Sequence, residues 1–397
     1  MDNEELSTPQ NGQRLPHNVK LLGWASCLND IASEMIFPLL PQFLITVLGG
    51  NRFYLGIIEG VADSASSLLK LWSGALSDRV AKRKGFVICG YALAAVSRPV
   101  IGIITAPWQL FVARAADRIG KGIRTSPRDA LIADSTAPDF RGRAFGFHRA
   151  MDHLGAAVGP VLAAAFLWFW PDELRTLFLF TLIPGLIVVG LLVLGLRETT
   201  ATEPAGEGLQ WTLKPFDRNF RLYLLALIVF TLGNSSDAFL LVRASELGIP
   251  TTLLPLLWFA FHVVKSGGNL LVGGLVDRVG PRLPMFIGWF IYAGVYLAFA
   301  LATAAWHVWA FFLVYAIFYS FTEPAEKTLV TNLVGTARKG LAFGWYNAAI
   351  GIAALPSSLI FGVLYEEFGS LVAFGWGAGL ALVAIALLAG VRSGNEP

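Results

Sequence analysis

Residues 114–134, RAADRIGKGIRTSPRDALIAD, hold four arginines, one lysine and three aspartates in a chain whose charged fraction is only 14%. Arg114, Arg118, Lys121, Arg124 and Arg128 recur at intervals of three or four, the spacing of one helical face. At 1.5 Å per residue the row runs about 21 Å. Carboxylates stand elsewhere at helical spacing: Asp30 and Glu34, then Glu59 and Asp63. Such groups can pair, carry protons, or hold a charged solute. They do not make an enzyme: no nucleophile motif or metal-ligand spacing is present, and no cofactor or metal is expected. The string GKG at 120–122 is not a phosphate loop, because Ala115 and Gly122 occupy the places of its first glycine and its Ser/Thr.

The elements that position these charges are apolar. Hydrophobic residues make up 55% of the 397, and mean hydropathy is +0.62, outside the range of soluble domains. The chain reads as an all-α integral membrane protein. The net charge of +3 is scattered over short segments between apolar runs, which excludes a nucleic-acid surface. Cys27 and Cys89 fall inside apolar runs and read as core fillers. Residues 1–19 are polar, without the apolar core of a signal peptide, and read as a disordered tail.

A crossing helix needs about 20 mostly apolar residues. Twelve such spans are expected, near 20–48, 53–77, 85–104, 108–133, 142–169, 175–196, 220–244, 252–276, 284–303, 306–332, 340–365 and 370–391. They form two six-helix bundles, 20–196 and 220–392, joined by a polar linker at 197–219 and followed by a short tail at 393–397. Basic residues between spans favour one side, which places both termini in the cytoplasm of a bacterial-type plasma membrane. The halves also echo each other: GALSDRV (74–80) recurs as GGLVDRVG (273–280), and RGRAFGFHRAMDHLGAAVGP (141–160) recurs loosely as RKGLAFGWYNAAIGIAALP (338–356). Internal repeats of this kind belong to alternating-access transporters, with the solute site between them.

GALSDRVAKRK (74–84) resembles the loop motif of the major facilitator superfamily, with Ala81 where glycine is usual; the second copy has Pro281 in a basic slot. RAADRIGKG (114–122) is similar to the family's Arg-x-x-x-Gly-x-Gly-x-Gly pattern, with Arg118 in place of the first glycine. GAAVGPVLAA (155–164) resembles the Gly-x-x-x-Gly-Pro motif of its drug/proton-antiporter-like exporters. The resemblance implies the twelve-helix major facilitator fold. It makes Asp78, Arg79, Asp277, Arg278, Gly155, Gly159 and Pro160 candidate conformational-switch residues. The paired small residues Gly155 and Gly159 beside Pro160 also favour close helix approach on physical grounds alone.

Charge at membrane depth faces the bundle interior and marks function. Spans six, nine and twelve carry almost none, and span three only Arg98, for which the pattern offers no partner. Every third helix is therefore expected to meet lipid. Asp30 and Arg124 lie roughly 14 Å from the cytoplasmic side, Glu34 and Arg118 roughly 21–22 Å, while Glu59 and Arg114 are each roughly 9 Å from the outer side. Matched depth suggests three ion pairs. Asp30, Glu34 and Asp63 are the proton-coupling candidates, and protonating Asp30 or Glu34 would free an arginine for solute. Arg114, Arg118, Lys121, Arg124, Arg149, Asp152, Asp237, Tyr315, Tyr319, Glu323, Tyr346 and Asn347 are the cavity candidates. His148 and His153 can relay protons or simply bond between helices. Glu59 and Asp63 together offer a sodium site.

The reading is a monomeric secondary transporter with a small-molecule solute, protons and the lipid bilayer as partners. Proton-coupled efflux leads, and proton- or sodium-coupled uptake of an anionic metabolite is the alternative. A non-transporting receptor or scaffold is the reading of another class.

Overall fold

Proline and glycine set where the helices stop. Pro107 opens one after an extended Ala106, where a missing N–H costs nothing. Gly248, Gly280 and Gly369 end others with φ of 90°, 77° and 82°, a region open to glycine. The computed structural model describes residues 15–80, 82–137, 141–199, 213–334 and 339–392. The expected tail lies outside them up to residue 14, as do 200–212 of the linker, the terminal 393–397, and the side chains of Asp78, Arg79 and Asp277.

Within the described residues the helices are α1 (His17–Val47), α2 (Arg52–Val80), α3 (Lys84–Val100), α4 (Pro107–Asp134), α5 (Arg141–Phe169), α6 (Leu174–Gly195), α7 (Arg218–Glu246), α8 (Leu254–Val279), α9 (Arg282–Leu301) and α10 (Ala305–Val334). The run Lys339–Ala389 breaks at Gly369 into α11 and α12. Seven helical runs are long and apolar enough to cross a membrane, the last being the α11–α12 run. The chain is a multi-pass membrane protein. Helix α1 starts at His17, so the tail is shorter than its polarity suggests: Asn18 and Val19 are buried, and Asn18 bonds the Arg197 carbonyl at 2.9 Å.

The same pairings recur in both halves. Helix α4 packs on α2 and α3, as α10 packs on α8 and α9; α6 packs on α3, as the α11–α12 run packs on α9. The halves meet chiefly along α2 with α11 and α5 with α8, and also where Leu40–Gln42 of α1 meets Ala238–Glu246 of α7. Helices α3, α6, α9 and α12 turn large apolar side chains outward, among them Val96, Leu194, Phe290 and Leu382. Cys27 is buried, but Cys89 on α3 is exposed, so it is not the core filler its apolar run suggests.

Two equivalent helices are interrupted. Pro38 and Pro41 remove backbone donors from α1, which passes through a 3₁₀ turn at Phe37–Leu39 into a wide turn over Phe43–Val47. Helix α7 stops at Gly233 and resumes at Ala238. The sequence pattern predicts one continuous span there. The run GNSSD (233–237) ends it, because short polar side chains compete for backbone groups.

Candidate functional site

A cavity of about 360 Å³ lies between the halves, within the size range of small-molecule sites. The first half contributes Glu34, Glu59, Asp63, Lys70, Arg118 and Lys121 to its wall. The second contributes Asn234, Ser235, Ser236 and Asp237 from the break in α7, with Trp258, His262 and Tyr319. Backbone freed from a helix is tolerated at membrane depth where it lines a cavity, and interrupted helices in corresponding positions of two repeats mark solute sites.

Tyrosines of α9 and α10 satisfy the broken backbone. Tyr292 Oη donates to the Gly233 carbonyl at 2.9 Å, and Tyr315 Oη donates to Asp237 Oδ1 at 2.6 Å. Tyr319 Oη lies 3.3 Å from both oxygens of Asp237. Tyr319 and Asp237 thus line the cavity, while Tyr315 supports Asp237 from behind.

The row on α4 splits in two. Arg114 lies beyond the cavity, in a bidentate pair with Glu59 at 2.8 and 3.0 Å, both side chains 2% exposed. Asp117 accepts from Arg98 Nε at 2.8 Å, and Arg98 also bonds the backbone and side-chain oxygens of Asn29 at 2.7 and 3.0 Å. Arg98 therefore ties α3 to α1 and α4. Arg124 sits about 60° around the helix from Lys121. It faces α3, 4.5 Å over the Tyr91 ring. Only Arg118 and Lys121 of the row reach the cavity.

The Glu59–Arg114 pair expected from matched depth is present; the other two are not. Glu34 instead accepts from Trp258 Nε1 of α8 at 2.7 Å, with His262 Nε2 3.9 Å away. Asp30 accepts from the Asn29 side-chain amide at 3.0 Å and is not among the lining residues. Equal depth fixes height in the bilayer but not the direction in which a side chain points. The arginine-release switch built on those two pairs is accordingly not formed. Nor is the sodium site, since Arg114 occupies both oxygens of Glu59.

Arg114, Arg124, Arg149, Asp152, Tyr315, Glu323, Tyr346 and Asn347 do not line the cavity. Arg149 is 57% exposed and 4.0 Å from Glu323, whose main partner is Lys265 at 2.7 Å. Asp152 faces His148 at 3.5 Å, and His153 faces Ser266 of α8 at 3.4 Å. Tyr346 donates to Glu326 at 2.6 Å, and the Asn347 amide bonds the Phe343 carbonyl of its own helix. Arg278 is exposed.

The glycines of α5 set the position of the acidic face of α1. A Cβ on Gly159 would lie 2.6 Å from the Ile31 carbonyl oxygen and 3.1 Å from Glu34 Cβ, and one on Gly155 would lie 2.9 Å from Asp30 Cβ. Gly120 and Gly122 likewise admit α3 and α2, so Arg118 in the first glycine slot leaves the packing of α4 intact. Gly159→Ala is expected to force α5 off α1 and to cost about 1–3 kcal/mol. Thermal unfolding in detergent checks this against Gly146→Ala, where a Cβ meets nothing within 4 Å.

The sequence model of the Major Facilitator Superfamily matches residues 22–355 and 223–397. The chain belongs to this superfamily. An uncharacterized MFS-type transporter of Methanocaldococcus jannaschii is 31% identical over 389 residues, covering 96% of each chain. The multidrug resistance protein MdtH of Yersinia enterocolitica is 24% identical, covering 80% of this chain and 79% of its own. Among solved structures, the nucleoside transporter NupG superposes with a TM-score of 0.79 at 13% identity, covering 94% of this chain and 99% of its own. A bacterial homologue of the human lysosomal transporter Spinster, inward-facing and occupied, gives 0.72 at 16% identity over 95% of each chain. These superpositions show the major facilitator fold.

Proposed function

We propose that this member of the superfamily is a monomeric, proton-coupled exporter of a small polar solute, working by alternating access in a bacterial-type plasma membrane with both termini cytoplasmic. One observation carries the reading: Glu34 of the first half is held by Trp258 of the second, on the wall of the cavity. An N–H to carboxylate bond is strong while the acid is ionised and weakens when it is protonated. A proton on Glu34 therefore biases the seam between the halves, which is the two-state element that coupling needs. Asp63 and Asp237, on the same wall, are the further proton-binding groups. The motif around Gly155 and Gly159 and the multidrug-resistance relative support outward transport.

The test uses everted vesicles energised inside-acid and the solutes that distinguish a strain lacking the gene from one overproducing it. The native protein is expected to accumulate solute in the lumen, and Glu34→Gln to equilibrate it without accumulation. Flux in the opposite direction rejects efflux.

A second reading, proton-coupled uptake of an anionic metabolite, is favoured by the cations Lys70, Arg118 and Lys121 on the wall. Protonating an acid among them strengthens anion binding, and ligands that reinforce each other travel together.

A further inference from the structure

The cavity wall divides by charge. Lys70, Arg118 and Lys121 stand together on the wall, and neither lysine amine makes an ion pair among the described residues. Cations gathered on one wall of a cavity call for a counter-charge. Opposite them, the break in α7 presents acceptors. Asp237 Oδ1 receives Tyr315, but Oδ2 has only the 3.3 Å contact with Tyr319. The Asn234 side-chain oxygen is buried without a hydrogen-bond partner, an arrangement that costs free energy until a donor arrives. Asp63 of α2 lines the same cavity from the first half. Arg118 and Asp63, 4.0 Å apart, mark where the two groups meet.

Resting on the transport reading above, we infer that the solute is a small zwitterion of the amino-acid or short-peptide class, its anionic group on Lys70, Arg118 and Lys121 and its ammonium on Asp237, Asn234 and Asp63. A lipophilic cation leaves the lysines unanswered, and a simple anion leaves the acceptors of α7 unanswered. The zwitterion satisfies both, and its two charges lie close together, as the junction of the two groups requires. It also gives the sign of the coupling. A proton and an ammonium compete for the same carboxylates, so one leaves as the other binds, which is exchange.

The experiment is equilibrium binding to the purified full-length protein, read as a shift of the unfolding midpoint in detergent. The probes are the proteinogenic amino acids and glycyl dipeptides, the N-acetyl and C-amide derivatives of those that bind, and succinate and tetraphenylphosphonium as single-charge probes. At least one zwitterion is expected to bind, and its N-acetyl and C-amide forms at least tenfold more weakly. Asp237→Asn is expected to lose discrimination against the N-acetyl form alone, and Lys121→Gln against the C-amide form alone. The inference is overturned if the capped forms bind as tightly as the free one, if both substitutions act alike on both derivatives, or if only a single-charge probe binds, or none does. Binding requires neither a gradient nor a direction. Failure of the efflux reading in vesicles therefore leaves this result standing, and proton-driven export of a capped or singly charged solute overturns the zwitterion while keeping the exporter.

Discussion

Arg114→Ala is expected to cost about 3–5 kcal/mol of folding stability, the typical loss when one partner of a buried ion pair is removed. Arg114 and Glu59 are each 2% exposed, and two hydrogen bonds at 2.8 and 3.0 Å account for both carboxylate oxygens. Truncation strands Glu59 between α2 and α4 and also weakens the hold on Asp117, 3.6 Å from Arg114. The pair's net contribution is much smaller than the penalty for breaking it, because desolvating both charges offsets most of their attraction. Glu59→Leu with Arg114→Met is therefore expected to fall within about 1–2 kcal/mol of the native protein. Thermal unfolding of the three proteins in detergent checks this. A single variant as stable as the native protein, or a double variant no better than the single, contradicts a packing role for the pair.

That role bears on what the sequence reveals. The cost of burying charge in an apolar chain points to the interior of the first half, and there the Glu59–Arg114 pair was legible from depth alone. Depth failed for Glu34 because its partner, Trp258, is 224 residues away in the other half and carries no charge. It failed for Arg124 because the row on α4 is wider than one face. Apolar length marks seven of the helical runs and Gly369 divides the last of them, but neither marks the break in α7. Gly233 to Asp237 lie within the expected span 220–244, yet the same five residues are a turn signal at the position equivalent to the prolines of α1. The interruptions of the two repeats mark the cavity wall, whereas the charges alone mark half of it.

Arg52 closes the end of the bundle opposite the termini, and its loss is expected to open that end. Its guanidinium reaches Glu246 of α7 at 2.5 Å and Glu366 of α11 at 3.2 Å, and its backbone N–H donates to Glu366 at 3.0 Å. Tyr365 adds a bond to Glu246 at 2.7 Å and places its ring 5.1 Å below the guanidinium. Close packing backs this cluster, since a Cβ on Gly362 would lie 2.8 Å from the Arg52 carbonyl oxygen. The Arg52 and Glu246 side chains are 30% and 24% exposed, so each pair is worth well under its buried value, roughly 0.2–1 kcal/mol. Two pairs and the ring contact together come to about 1–3 kcal/mol. Every 1.4 kcal/mol is tenfold in a two-state equilibrium. Arg52→Ala is thus expected to raise about tenfold the rate at which a membrane-impermeant maleimide, added from that side, labels Ala354→Cys on the cavity wall in a Cys27→Ala, Cys89→Ser background. Arg52→Lys keeps the charge but loses the fork that spans two carboxylates, and an intermediate rate is expected. An unchanged rate in Arg52→Ala means that helix packing alone, through Gly56 and Gly362, holds the closure.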